Sequence, residues 1–495
     1  MVELSTCLRQ LLAESGQTIS HLAQHVNMDR ATLSKVLNGQ RTPTPPQMER
    51  LLHALRASPQ QRLRAMELFE NARIPPATLA CRRQIQQLLQ SIFSVQDTLN
   101  QPLVLPSITW HMPQDSALVR HVPTQPDALV ALRFLMDRFL SNPSAGPLML
   151  SPGLGAPWMG LISAALAKAT DARRQVWHLS QFIKRPQRDD EIAWNLRNLT
   201  QALPFVYLGH TDYTARFFYS TALERQPAAL LSTYVLFPDT VFGIPSDGRG
   251  ALILHEPTYV ERCRQNFAQI FRESSAFVGL GAQEYDEMEQ LDYRGHFSRL
   301  GCESFSLRYE PPMVLTLDEA LVRRFLAPDL PNRDQRLPDM LARLHDVQDL
   351  HAHCFFTEAG VRDFVISGRI AETDDRLYAP LSPALRRLLL ERLADLCESG
   401  PSDIRLLNPQ PFQPPRNMYV DVYRDHGLLF VQKVSRPDDT VRYRSCYFSE
   451  DSITGAFCDF FQYLRTSSLL YTRQETASVL RQYAANLPDT PAAEQ

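Results

Sequence analysis

The segment from Gly16 to Gly39, GQTISHLAQHVNMDRATLSKVLNG, admits few folds. Gly16 is a natural helix end, and two residues later Thr18 supplies a hydroxyl that can cap a helix carrying Ile19, Leu22, Ala23 and Val26 inward. Asn27 tolerates the left-handed backbone of a tight turn. Asp29 then caps a second helix with Leu33, Val36 and Leu37 facing in, closed by Asn38 and Gly39. Two short helices therefore meet across a four-residue turn. Small Ala23 lets them approach, and Leu22, Val26, Leu33 and Val36 clamp the corner, so Arg30, Ala31, Thr32, Ser34 and Lys35 project outward.

The flanks extend the pattern into an all-α bundle over residues 1–73. Leu4, Leu8, Leu11 and Leu12 form one face of a helix that stops at Gly16. After the break Thr42-Pro43-Thr44-Pro45-Pro46, Met48, Leu51, Leu52 and Leu55 fit a fourth helix, and a Ser-Pro start at Ser58 opens a fifth that ends near Ala72.

At these residues the segment resembles the Xre/Cro family of helix-turn-helix regulators over about residues 4–56. The resemblance lies in Thr18 at the second-helix cap, Leu22-Ala23 at its heart, and Asn38-Gly39-Gln40-Arg41 after the recognition helix. It implies a sequence-specific transcription regulator with double-stranded DNA as partner. Position by position, it puts Arg30, Ala31 and Lys35 at base-facing sites with Thr32 and Ser34 beside them, and Thr18, Asn38 and Arg41 at backbone-clamping sites. Two positions depart from the family's habit. Ile19 stands where Gln is frequent after the cap, and Leu37 where Glu is frequent before Asn-Gly. A familiar phosphate contact and a familiar Arg–Glu pair are therefore missing.

A chain of 495 residues leaves some 400 beyond this bundle, enough for further domains. The net charge of −3 argues against a protein that coats nucleic acid by bulk electrostatics. Residues 1–73, with nine Lys and Arg against six Asp and Glu, carry a mild local excess of the right sign. The eight cysteines form no CxxC pair and read as reduced thiols. The sequence opens directly on an amphipathic helix and holds no 18-residue apolar run, so a cytoplasmic protein without membrane contact is expected.

Residues 74–124 read as a connector, with one helix near Arg82–Phe93 and then Pro102, Pro106, Pro113 and Pro123. From residue 125, helices alternate with short apolar strands, the texture of an α/β region. Two stretches share an order of elements. Helix Ile192–Leu203, strand Phe205–Gly209, a hairpin at Phe237-Pro238-Asp239, strand Ala251–His255 and helix Tyr259–Phe271 make the first. Helix Leu385–Leu396, strand Ile404–Leu407, a hairpin at Arg424–Gly427, strand Arg442–Phe448 and helix Ile453–Leu464 make the second. The first-to-last helix spacing is about 67 residues in both. Duplicated lobes, at 125–290 and 291–480, are one explanation; unrelated lobes of similar rhythm are the other. Residues 481–495 read as a disordered tail. The fold class is thus α+β and multi-domain: an all-α helix-turn-helix bundle followed by a large α/β effector region.

Other constellations carry less chemistry. Asp349-Leu350-His351-Ala352-His353 resembles the opening ligand motif of PHP-type and amidohydrolase-type metal phosphoesterases, but only His426 follows among the histidines, too few for the remaining ligands. The turn Pro152–Gly160, with Gly153, Gly155 and Trp158, follows a strand and opens a helix, so it is the candidate small-ligand turn, Trp158 serving as a wall. Its spacing misses the dinucleotide and P-loop patterns, and a tight structural turn is the plain alternative. The hairpin-and-strand lobes resemble phospholipase-D-like effector domains, yet neither carries His-x-Lys-x4-Asp. The acidic run Glu284, Asp286, Glu287 and Glu289 has helical spacing and reads as a wet face. No catalytic residue, metal or cofactor is expected. The expectation is a non-enzymatic regulator whose effector region senses a small molecule or peptide or mediates assembly, with homodimers placing two recognition helices roughly 34 Å apart. An enzyme addressed to DNA, with catalysis in 126–480, and an interaction module without DNA contact stand as alternatives.

Overall fold

The computed structural model describes residues 2–73, 75–99, 118–142, 144–169, 174–184, 186, 189–208, 211–220, 233–276, 296–297, 299–327, 333–348, 352–370, 373, 377–408, 414, 416, 418–435, 441–467 and 469–488. An N-terminal helical domain is followed by a larger region of mixed sheets and helices. The first domain holds α1 (Val2–Ser15), α2 (Ile19–His25), α3 (Arg30–Leu37), α4 (Pro45–Ala54) and α5 (Pro59–Arg73). Its core is self-contained, with Leu4, Leu8, Leu11, Leu22, Val26, Leu33, Met48, Leu51 and Phe69 buried together. Gly16, Asn27 and Gly39 take positive φ of 65°, 50° and 71°, the left-handed turns that their residue types favour.

Helix α6 (Pro76–Leu99) follows, longer than the sequence suggests, and it is no mere connector: Cys81, Ile85, Leu88 and Leu89 enter the core of the larger region. The stripe at i, i+4, i+7 and i+8 is the face a packed helix needs. Pro102, Pro106 and Pro113 lie outside the described residues.

The first lobe comprises β1 (Val119–Val122), α7 (Gln125–Leu140), β2 (Leu148–Leu150), α8 (Ala156–Lys168), β3 (Arg174–Ile183), α9 (Asp189–Val206), β4 (Thr211–Ser220), β5 (Thr233–Leu236), β6 (Val241–Ile244), β7 (Ala251–Leu254), α10 (Pro257–Glu273) and β8 (Ser275–Ala276). The second holds β9 (Ser304–Arg308), α11 (Glu319–Phe325), α12 (Arg333–Gln348), β10 (Ala352–Phe356), α13 (Glu358–Ser367), α14 (Pro383–Ser399), β11 (Ile404–Leu406), β12 (Met418–Tyr423), β13 (Gly427–Ser435), β14 (Val441–Phe448), α15 (Asp451–Thr466) and α16 (Arg473–Ala485).

The strands form sheets of order β1-β7-β6-β5-β2-β3-β4-β8 and β11-β10-β9-β12-β13-β14. Stripped of its edge strands β1 and β8 and read in reverse, the first sheet has the same plan as the second. Three parallel strands (β2, β3, β4; β9, β10, β11) are joined at the first of them to an antiparallel meander (β5-β6-β7; β12-β13-β14). Each meander runs into a helix capped by a glutamate, Glu256 for α10 and Glu450 for α15. The repeated order of elements is therefore present in the topology.

Three expectations need correction. Phe205 and Val206 belong to the last turn of α9, and the strand that follows is Thr211–Ser220. The first sheet begins at Val119, before the expected lobe boundary at 125. The C-terminal segment begins as helix: α16 runs to Ala485, Leu487 is buried, and its carbonyl accepts Arg387, so order extends past 481. The acidic run at 284–289 and the boundary near 290 lie outside the described residues.

Candidate nucleic-acid interface

The corner between α2 and α3 is fixed by backbone and side chain together. The amide of His21 donates to the Thr18 hydroxyl at 3.3 Å, and that of Thr32 to the Asp29 carboxylate at 3.1 Å, satisfying donors that helix starts leave open. Between the helices Met28 donates to the carbonyl of Ala23 at 3.0 Å, which closes the turn around Asn27. Leu22, Val26, Leu33 and Val36 are all buried, and Ala23 sits with them.

Helix geometry then decides which side chains of α3 remain outside. At about 100° per residue, Leu33, Val36 and Leu37 cover one side, so Ala31 and Lys35 fall opposite, with Ser34 and Arg30 on one flank and Thr32 on the other. Burial follows suit: Arg30, Ala31 and Lys35 are exposed, Thr32 and Ser34 half-buried. Of the five expected base-facing residues, Arg30, Ala31 and Lys35 are thus open to solvent, with Thr32 and Ser34 at opposite edges of the exposed face. Beyond α3 the amide of Gln40 donates to the carbonyl of Lys35 at 2.8 Å and that of Gly39 to Val36 at 3.0 Å, a capped end that turns Asn38 and Arg41 outward. Thr18, Asn38 and Arg41 are all exposed.

The departures from the family pattern have a packing explanation. Leu37 is 3% exposed and Ile19 packs half-buried against the same cluster, so both positions reinforce the core. Sequence reading missed the device that fixes the loop bearing Arg41. The amide of Thr44 donates to the Gln47 side chain at 2.8 Å at the start of α4. The pattern Thr-x-x-Gln was the available signal. Elsewhere Gln17 ties the turn between α1 and α2 to the end of α4, its side-chain amide donating to the carbonyl of Ala54 at 2.8 Å.

The candidate ligand turn has little to offer an anion. Trp158 is 3% exposed and meets Phe242 edge-on in the core, so its ring is no pocket wall. Pro157 lacks an N–H, and the amides of Trp158 and Met159 are engaged by the carbonyl of Gly155. Gly153, at φ +83°, and Gly155 serve the strand-to-helix junction, where the Ser151 hydroxyl accepts the amide of Tyr234 at 2.6 Å. Of the phosphoesterase-like motif, Asp349, Leu350 and His351 lie outside the described residues. His353 sits in β10 with Nε2 3.1 Å from a Glu303 oxygen. Among the described residues no group of three His, Cys, Asp or Glu is placed to hold a metal, and no helix is long and apolar enough to cross a membrane.

No curated protein matches the chain. Among solved structures, the archaeal chromatin protein TrmBL2, described as showing a novel mode of DNA binding, is similar at 11% identity over 52% of this chain and 88% of its own, with a TM-score of 0.22. A polyphosphate kinase from Porphyromonas gingivalis follows at 10% identity, 77% and 59% coverage and a TM-score of 0.21. A phosphatidylserine synthase from Haemophilus influenzae Rd KW20 follows at 11%, 80% and 97%, also at 0.21. At such scores none of the three defines the fold of the lobes. Residues 3–65 match the helix-turn-helix domain family, in agreement with the caps, turn and buried corner described above. The N-terminal unit is therefore a helix-turn-helix domain, carried on a larger region of mixed sheets and helices.

Proposed function

We propose that this chain is a sequence-specific DNA-binding transcriptional regulator of Xre type, with the helix-turn-helix as reader and the two lobes as a ligand-sensing or assembly region. The observation that carries the reading is the α3 surface: Arg30, Ala31, Thr32, Ser34 and Lys35 lie away from a fully buried seam. Such a helix, about 10–12 Å across with its side chains, fits a major groove about 12 Å wide. The near-neutral whole-chain charge makes the affinity depend on few contacts. Pairing of two chains supplies the rest by placing two readers about one DNA turn apart, and the protein works in the cytoplasm as a homodimer. The lobes act as a sensor or assembly unit and not as an enzyme.

A gel-shift series against selected sequences tests the reader. Arg30→Ala is expected to relax base preference at its position, at a cost of about 1–3 kcal/mol on the best site. Arg41→Ala is expected to weaken all sequences about equally. Unchanged affinity in both variants would sink the DNA reading. A strict monomer in sedimentation, even on DNA, would sink the pairing.

A further inference from the structure

Helix α6 touches both lobes and the reader. Its apolar side, Cys81, Ile85, Leu88 and Leu89, enters a core to which α9 and α15 both contribute, and on either flank it is tied to a different lobe. Arg82 forms a two-pronged ion pair with Asp459 of α15, at 2.7 and 3.0 Å, and lies 4.6 Å over the ring of Tyr463. Gln84 donates to the carbonyl of Ala193 in α9 at 2.9 Å. Toward the reader, two residues of chain separate α6 from the end of α5, and Arg83 pairs with Glu3 of α1 at 3.3 Å, an exposed contact of little worth. The helix is fixed firmly to the lobes and loosely to the reader.

The seam that α6 straddles is not a plain hydrocarbon contact. Phe448 of β14 meets Phe182 and Phe217 of the first lobe, but polar groups lie beside them. Arg444 donates to the carbonyl of Tyr207 at 3.0 Å, and Asn195 of α9 donates to the Ser452 hydroxyl at 3.0 Å. Ser452 in turn donates to the Glu450 cap at 2.6 Å. Ser180, on the strand face that carries Phe182, and Gln432, opposite Arg444 in the ladder, are buried. Neither the Ser180 hydroxyl nor the Gln432 amide oxygen has a hydrogen-bond partner among the described residues. Unmet polar groups penalise the closed seam, which narrows its advantage over a parted one.

We infer that α6 is a coupling element that converts the spacing of the two lobes into the setting of the reader. When the seam parts, α9 and α15 move relative to each other. Gln84 and Arg82 are then pulled from opposite flanks, and the displacement passes along the chain from α6 to α5. The regulatory meaning rests on the DNA-reader proposal, whereas the mechanical coupling does not.

Hydrogen exchange on the full-length protein tests the coupling without DNA. Asn195→Ala, with Ser452→Ala as a second seam variant should the first fold poorly, is expected to raise exchange at least threefold along residues 78–90 and at the α5–α6 joint. The increment at the joint is expected to vanish in an Arg82→Ala background. Faster exchange confined to α9 and α15, or the same increment at the joint with and without Arg82, would overturn the coupling. The same variants are expected to shift DNA affinity at least threefold. Coupled exchange in a protein that binds no DNA would uphold the coupling and overturn the reader proposal alone.

Discussion

His178 and Tyr213 share a 2.7 Å hydrogen bond inside the first lobe, with Phe205 beside them and, among the described residues, no charged partner to offset burial. Burial lowers the His178 pKa from 6.5 to about 3 and raises that of Tyr213, so both remain neutral near pH 7. An unfolded chain would protonate this histidine near its ordinary value, so below about pH 6.5 the unfolded state binds the extra proton. The contribution is whole above that pH and falls by about 1.4 kcal/mol per unit below it, until the folded-state value is reached. Urea unfolding at a series of pH values from 7 to 5 should show this slope, and His178→Phe with Tyr213→Phe should remove it. An identical slope in the double variant would refute the assignment. At the same scale Leu37 illustrates a residue whose type was legible while its role was not. The sequence shows an unusual Leu before Asn-Gly, and its burial shows why, so Leu37→Ala is expected to destabilise the reader by about 2–5 kcal/mol in thermal unfolding.

Elements whose stops are local were readable in advance. In the reader, α1 stops at Gly16, α2 lies between Thr18 and Asn27, α3 between Asp29 and Gly39, and α4 and α5 open on prolines, each signal acting on its own few residues of chain. Their dependence on those caps is measurable. Asp29→Ala should cost about 1 kcal/mol, lower the melting temperature of the reader and weaken DNA binding, because α3 carries the exposed face, whereas Asp29→Asn should behave nearly as the parent. Full stability in the alanine variant would show that packing alone sets the start of α3. Elsewhere, local signals ran out. The run Phe205–Gly209 is too short for periodicity to separate a buried strand from a helix's last turn, and packing around α9 decides it. Trp158 after a glycine turn looks available, yet a residue in the first turn of α8 faces inward because the sheet lies beneath it. The helix read as part of a connector gave no sign of its partners, since the residues it meets on α9 and α15 lie 109 and 377 positions away along the chain.

At the scale of the molecule, the same six-strand plan occurs in both lobes, yet their equivalent parts are used differently. Glu256 caps α10 in solvent and is held low by the amides of Thr258 and Tyr259. Glu450 caps α15 inside the seam, where burial raises its pKa and Ser452 links it to the first lobe. The asymmetry is what makes the lobes a pair instead of two beads, and α6 lies along their junction. The reader, by contrast, keeps its own core and should fold as residues 1–73 alone. The boundary between reader and body therefore falls between the end of α5 at Arg73 and the start of α6 at Pro76, and not after the expected connector. A fragment beginning at Pro76 should melt within a few degrees of the body of the full chain. One beginning at Leu118 loses α6, and with it the burial of Ile85, Leu88 and Leu89, about 5–9 kcal/mol at roughly 1.5–3 kcal/mol for each side chain. A loss of that size approaches the whole net stability of a typical domain, about 5–15 kcal/mol. The shorter fragment should accordingly aggregate, or melt at least roughly 10 °C lower by scanning calorimetry. Equal melting temperatures for the two fragments would show that α6 rests on the body without holding it together, and the coupling inferred for that helix would lose its mechanical basis.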